Sequence, residues 1–334
     1  ILRQFMLKES INIGVIGVGH LGQHHVKHYK NIKDANLIGI FDINNDRAEK
    51  IGNKYDVPIF QKIEYLLDQV DAVSIVTPTP NHIETARQCI DKKKHVFIEK
   101  PITVTLEEAD ELLKLSKEKD VLIQVGHIER LNPALIALKS YPIEPKFIEI
   151  QRLAPFTERG TDVPVVLDKM IHDIDILLSL VKSPVKTIKA TGLSILTKSL
   201  DIAHARIQFG NGTVASIMSS RVAKEEVRKV KIFQKNLYTT LDLLLGLTEV
   251  YKIIDNKDNN SEAVMTVPLN NSNEKKFIAY EKPKISNKDP LKMELQNFIS
   301  SIHGKETPIV SGKDGRDALK VAIEIQEMII KDIH

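Results

Sequence analysis

The chain has 334 residues, enough for two ordinary domains, and its 42% hydrophobic content supports a substantial core. Trp is absent, aromatics make up 5%, and 47 basic residues balance 44 acidic ones, a net charge of +3 that argues against a nucleic-acid-binding protein. A single cysteine, Cys89, excludes an internal disulfide and a cysteine-rich zinc site, and no apolar run approaches the roughly 20 residues of a membrane-spanning helix. Ile1–Ser10 is too short and polar for a signal peptide, Met6 is a candidate start, and a cytoplasmic location is expected.

The N-terminal third alternates strands and helices. Ile11–Ile16, Leu37–Phe41, Ala72–Val76, His95–Ile98 and Val121–Val125 are short apolar runs. Between them lie the amphipathic stretches Gly22–Lys30, Asp46–Tyr55, Ile63–Gln69, Asn81–Lys92 and Leu106–Lys119. The lysines Lys92–Lys94 read as a solvated helix end. Continuous apolar strands separated by helices predict a doubly wound α/β domain with a parallel sheet over residues 11–126. The first strand runs into Gly17-Val18-Gly19-His20-Leu21-Gly22, a glycine turn of the dinucleotide-binding type. Asp42 ends the second strand about 20 residues later, placed to accept hydrogen bonds from an adenosine ribose and to disfavour a 2′-phosphate. NAD is therefore the expected cofactor, with Arg47 close enough to soften the preference over NADP.

Ligands of such sheets bind outside the carboxyl ends of the strands. His20, Leu21, Thr77, Pro78, Asn81, His82 and Glu99 join the glycines as candidate cofactor contacts on that ground. Asn81 reads equally well as a plain helix N-cap, and His82 as a surface helix residue. Lys100, between Glu99 and Pro101, is a charged residue at the end of the fourth run, His95–Ile98, and a candidate for the reacting site.

After Val125 the pattern changes. Pro133–Lys139 reads as a short helix, Lys146–Leu153 as a strand and Val166–Val181 as a helix. The runs Val185–Leu193, Ile202–Phe209, Thr213–Ser220, Val227–Phe233, Leu237–Leu245 and Glu249–Ile254 lack helical crossovers and predict a mostly antiparallel sheet. Gly210-Asn211-Gly212 is one of its turns, Asn256–Glu262 is a polar loop, and Pro290–His303 and Lys313–Lys331 are closing helices. An open-sheet α+β domain is expected over residues 127–334, its last helix docking back on the first domain. Asp168 and His172 are four apart, so on an α-helix they share a face. His suits removal of a hydroxyl proton near neutrality, with Asp168 to orient it or hold substrate. A helix-surface contact or half a metal site fits the pair as well, but no further His/Cys cluster supports a metal.

Together the glycine turn, Thr77-Pro78 with Asn81-His82, Glu99-Lys100-Pro101, the Asp168/His172 helix and Gly312–Leu319 resemble the glucose–fructose oxidoreductase/inositol dehydrogenase (Gfo/Idh/MocA) family along essentially the whole chain. The resemblance implies an NAD-dependent oxidoreductase acting on CH–OH groups, with a Rossmann domain and an open sheet that mediates dimers or tetramers. By that resemblance Lys100 positions substrate and stabilises alkoxide charge, His172 is the general base and Asp168 supports it. Met170 departs from the family pattern, which usually has glycine between the Asp and the His. The stretches Gly126–Pro133 and Arg152–Val163 are similar to those of the subgroup of UDP-N-acetylglucosamine 3-dehydrogenases. Those enzymes make a 3-keto sugar nucleotide that an aminotransferase converts for lipid A synthesis. His127, Glu129, Arg130, Arg152 and Arg159 then become candidate substrate residues, the arginines as bidentate diphosphate ligands, with at least one expected in a structural ion pair. A polyol dehydrogenase of the inositol type and a non-catalytic NAD-binding regulator remain the alternatives.

Overall fold

The computed structural model describes residues 10–157, 163–255, 263–269, 276–285 and 287–333. Arg159 and the whole Asn256–Glu262 loop lie outside them, as does Met6. The chain divides into two compact units, one of residues 1–128 with 288–319 and one of 129–287 with 320–334. Among the described residues no helix is long and apolar enough to cross a membrane.

The first unit is a five-stranded parallel sheet in the order β2-β1-β3-β4-β5. Its strands are β1 (Ile11–Ile16), β2 (Ala35–Phe41), β3 (Ala72–Ile75), β4 (His95–Glu99) and β5 (Ile123–Gly126). The helices between them are α1 (Gly22–Tyr29), α2 (Asn45–Tyr55), α3 (Ile63–Leu67), α4 (His82–Asp91) and α5 (Leu106–Lys119). Because helices cover the sheet, the strands are mostly apolar, and Ile13, Val15, Phe97 and Ile98 are fully buried. Local signals set the helix ends. Asn44 caps α2 through the Arg47 N–H, and Thr105 with Glu108 forms a capping box on α5. Cys89 on α4 is buried, and burial pushes its thiol up.

Helix α8 (Pro290–Ile302) belongs to this unit, not to the second domain where the sequence reading put it. Leu291, Leu295, Phe298 and Ile299 complete the core around β1 and α1, and Phe298 meets Phe97 edge-on at 5.8 Å.

The second unit carries a nine-stranded, mostly antiparallel sheet among its described residues, in the order β13-β14-β12-β11-β10-β6-β9-β8-β7. The strands are β6 (Phe147–Leu153), β7 (Val185–Leu193), β8 (Ile202–Phe209), β9 (Val214–Ser220), β10 (Val227–Gln234), β11 (Leu237–Asp242), β12 (Leu247–Ile254), β13 (Met265–Leu269) and β14 (Lys276–Glu281). β6 and β9 pair in parallel. β13 and β14 were not anticipated. Pro268 breaks the strand pattern of β13 and is tolerated because β13 lies at the sheet edge, where its missing N–H is not needed. The turn at Gly210–Gly212 joins β8 to β9, with Gly212 at φ +84°. Alternating side chains make one face an apolar core of Ile148, Ile150, Ile207, Ile217 and Ile232. On these strands Phe147, Phe233, Tyr238, Tyr251 and Tyr280 lie directly opposite one another in register and touch in sequence at 4.8–5.8 Å. Helices α6 (Pro133–Ala137) and α7 (Ile171–Leu180) complete the fold of this unit, and α9 (Gly312–Ile333) runs from the first unit into the second.

Candidate functional site

The glycine turn sits at the carboxyl end of β1, where the sheet order reverses between β2 and β3. Two of its glycines serve the loop itself. At Gly17, φ is +85°, and a Cβ would lie 2.7 Å from the Val76 carbonyl oxygen. At Gly22 a Cβ would sit 2.0 Å from the Gly17 carbonyl oxygen. Gly19 is different, since a Cβ there would meet nothing nearer than the Arg47 guanidinium at 3.9 Å. Internal packing does not require glycine at 19, but close approach of a pyrophosphate does. The Thr77 hydroxyl, at the end of β3, is buried without a hydrogen-bond partner. A bare cradle and an orphaned hydroxyl at adjacent strand ends fit a bound dinucleotide.

Asp42 is buried and is already engaged. One carboxylate oxygen accepts the Val18 N–H at 2.9 Å, and the other accepts the Asn44 N–H at 2.9 Å. The Arg47 Nη1 lies 3.4 Å from the same carboxylate. Asp42 therefore holds the glycine turn against the end of β2. Beside it Ile43 is 86% exposed, an apolar side chain in water at the adenosine end that sequence reading passed over. His20 and Leu21 are exposed along the turn.

Asn81 and His82 depart from what the sequence suggests. Asn81 precedes α4, but its side chain makes no capping bond. His82 is neither a surface residue nor open to a ligand. It is buried, with Nε2 2.9 Å from the Thr77 carbonyl and Nδ1 3.0 Å from the Pro101 carbonyl. It ties the loop after β3 to the loop after β4, the one that carries Lys100. Lys100 itself is half-buried, and its peptide bond to Pro101 is cis.

In the second unit, residues Val166–Met170 form a π turn, and α7 starts only at Ile171. The i→i+5 bonding of a π turn widens it, so the four-residue step from Asp168 to His172 falls short of the full turn expected for an α-helix. Both are half-buried, Asp168 lies 3.6 Å from the Lys169 ammonium, and Met170 is buried inside the turn.

Two arginines expected to face a diphosphate are committed elsewhere. Arg152 on β6 is 5% exposed, and its fork donates to both oxygens of Asp173 at 2.8–3.1 Å and to Glu129 at 3.0 Å. Arg130 grips both oxygens of Asp175 at 2.7 and 2.8 Å. The sequence carried the signal. Asp173 and Asp175 fall among the apolar residues of a largely apolar helix, and buried carboxylates require cationic partners. Glu129 and His127 are buried too, the former shared by Arg152 and Arg228.

The segment leading into the π turn has its own clamp. Asp201, fully buried, accepts the backbone N–H groups of Ile195, Leu196 and Thr197 at 2.6–2.9 Å and the Thr197 hydroxyl at 2.7 Å. Arg221, 3.8 Å away, donates to the Val163 carbonyl, and Val165 N–H bonds Leu200. Burial pushes the Asp201 carboxyl up, but the bonds from Thr197, Leu196 and Ile195 outweigh it and hold it at about 2. A depressed folded pKa contributes stability above the unfolded value that is lost as pH falls through the folded one. Unfolding free energies of wild type and Asp201→Asn are expected to differ by about 2 kcal/mol near neutrality and by about half of that at pH 3. Urea titrations at the two pH values check this, and a gap independent of pH would refute it.

Residues 11–127 match the family model described as "Oxidoreductase family, NAD-binding Rossmann fold", and residues 149–235 match the GFO/IDH/MocA C-terminal domain. A UDP-N-acetylglucosamine 3-dehydrogenase of Acidithiobacillus ferrooxidans is 34% identical over 94% of this chain and 95% of its own. The chain belongs to the Gfo/Idh/MocA family. The solved structure of that Acidithiobacillus enzyme superposes with a TM-score of 0.86, covering 96% of this chain and 98% of the other. The myo-inositol 2-dehydrogenase of Thermotoga maritima is 27% identical over 92% of this chain and 93% of its own. As a Gfo/Idh/MocA member the protein is an NAD-dependent oxidoreductase, and the open cradle at Gly19 is where the cofactor phosphates fit.

Proposed function

We propose that the protein oxidises the C3 hydroxyl of UDP-N-acetylglucosamine to the 3-keto sugar nucleotide. The carrying observation is the near full-length similarity to the Acidithiobacillus enzyme of that activity. Bound NAD supplies the hydride acceptor. Gly17, Gly19, Gly22, Asp42 and Thr77 hold it, with Ile43 against the adenosine. His172 accepts the hydroxyl proton, Lys100 donates a hydrogen bond to the same oxygen as charge develops, and Asp168 orients His172. With Arg130 and Arg152 engaged in ion pairs, Arg159 remains the arginine assigned to the diphosphate. A 3-keto product is the substrate class of an aminotransferase, which gives the reaction its downstream partner. The aromatic row on the sheet is assigned to contact with a second copy of the chain, and a monomeric mass in light scattering would remove that assignment.

Incubation with NAD and UDP-N-acetylglucosamine is expected to raise absorbance at 340 nm, further so when glutamate and a sugar aminotransferase withdraw the ketone. No NADH under those conditions overturns the substrate assignment. The Thermotoga relative favours myo-inositol as a second reading. UDP should inhibit the nucleotide-sugar reaction competitively, whereas turnover of myo-inositol indifferent to UDP would establish the polyol reading instead.

A further inference from the structure

A buried polar chain lies beneath the strand ends of the first unit, and nothing in the reaction described above uses it. His25, three residues after Gly22 on α1, is fully buried. Its Nε2 is 3.2 Å from the Glu99 Oε1, and its Nδ1 is 3.3 Å from the Ser74 Oγ. The Ser74 Oγ is 2.9 Å from the Tyr29 hydroxyl, with both residues fully buried. The other oxygen of Glu99 accepts the Lys100 backbone N–H at 3.3 Å. The donor inventory orders these contacts. A carboxylate only accepts, so Nε2–H donates to Glu99. On the other side of the ring Nδ1 shares a hydrogen bond with the Ser74 hydroxyl, which shares another with Tyr29. The chain ends on the Glu99 carboxylate.

The shape of the pocket agrees. A Cβ at Gly126, the last residue of β5, would lie 2.8 Å from the Glu99 Oε1, so the carboxylate rests on bare backbone. Glu99 and His25 together thereby join α1, β3, β4 and β5. An apolar set of the same volume would stabilise the unit at no desolvation cost, so stability alone does not account for a carboxylate here.

Granting Lys100 the role proposed above, we propose that Glu99 and His25 are positioning residues for Lys100, tying its backbone to the helix that opens at the glycine turn. Misplacement of a reacting group by about 1 Å costs on the order of a hundredfold in rate. The pair thus couples the lysine to the helix that opens at the cofactor cradle.

Glu99→Ala, Glu99→Gln and Gly126→Ala separate this role from simple folding support. Gly126→Ala displaces the carboxylate without deleting it. Both alanine variants are expected to lower kcat about 10- to 100-fold with the NADH Kd within about threefold, while Glu99→Gln, which keeps an acceptor for the Lys100 N–H, recovers to within about fivefold of wild type. Folded alanine variants with wild-type kcat overturn the proposal. So does a Gln variant no better than alanine, or a kcat loss matched by loss of NADH affinity. A second readout needs no substrate. Acetylation of Lys100 by acetic anhydride, quantified by peptide mass spectrometry, is expected to be slowed by NADH in wild type and not in Glu99→Ala or Gly126→Ala. Equal protection in all three, or none in wild type, also overturns it. If wild type turns over no sugar at all, the substrate assignment fails and the labelling comparison decides the role of Glu99.

Discussion

Replacing His172 with alanine is expected to lower kcat for the nucleotide sugar by about a hundredfold or more, with NADH affinity within about twofold of wild type. His172 is the second residue of α7, half-buried, on a helix whose neighbouring positions are all occupied by buried groups. Ile171 and Ile174 are packed in the core, and Asp173 and Asp175 are gripped by Arg152 and Arg130. A helix pinned by two bidentate ion pairs has little freedom to roll, so its histidine is delivered in a fixed direction. An imidazole titrates near neutrality, as removal of a hydroxyl proton requires. The cofactor residues belong to the other unit, so binding of NADH should be insensitive to the change. Asp168, beside Lys169 in the π turn, is the residue proposed above to orient His172, and Asp168→Asn is expected to cost less, about tenfold. Single-turnover absorbance and NADH fluorescence titration measure the two quantities. A near-normal rate in the His172→Ala enzyme would remove it from the role of base.

What could be read in the chain beforehand follows from the range of the forces involved. Periodicity and glycine are local signals, so β1 to β5, the Gly17–Gly22 turn and α5 were legible, as was the hairpin at Gly210–Gly212. Pairings across long separations were not. Arg152 and Asp173 are 21 residues apart, Arg130 and Asp175 are 45 apart, and His25 and Glu99 are 74 apart. An arginine in a plausible binding stretch looks the same whether it meets a phosphate or an aspartate, and only the fold distinguishes them. The π turn was hidden for a related reason. The apolar spacing of Val166, Met170 and Ile174 satisfies an α-helix, and the extra residue is set by where Pro164 and the Asp201 clamp start the helix. His82 shows the converse. Its type suggested a ligand contact, and burial gave it two backbone carbonyls instead.

The largest stability effect is expected at the Glu129–Arg152–Asp173 cluster. Its charges are almost wholly removed from water, at 6% side-chain exposure for Arg152 and 1% for Asp173. Burial pushes the Asp173 carboxyl above its usual range even against the pull of Arg152, a measure of the desolvation that the pair carries. Burial also opposes the Arg152 charge, but Asp173 and Glu129 together hold it on. Attraction and desolvation thus come close to cancelling, whereas removing one partner leaves the desolvation without the attraction. Arg152→Met should be the most damaging single change, because it leaves two buried carboxylates, Glu129 and Asp173, without their shared cation. A loss of about 3–5 kcal/mol is expected, seen as a fall in Tm on the order of 10 °C. Arg152→Met combined with Asp173→Leu should recover most of that loss. Glu129 then still has Arg228 at 3.4 Å and the Asn132 amide at 3.1 Å. The sign of the coupling is the test. A double variant much more stable than the sum of the single losses predicts is the expected result, and additive losses would mean that the three charges do not act as one cluster. Because the cluster sets α7 against β6, the repaired double variant should also keep its NADH affinity while its kcat reports how far His172 depends on that anchorage.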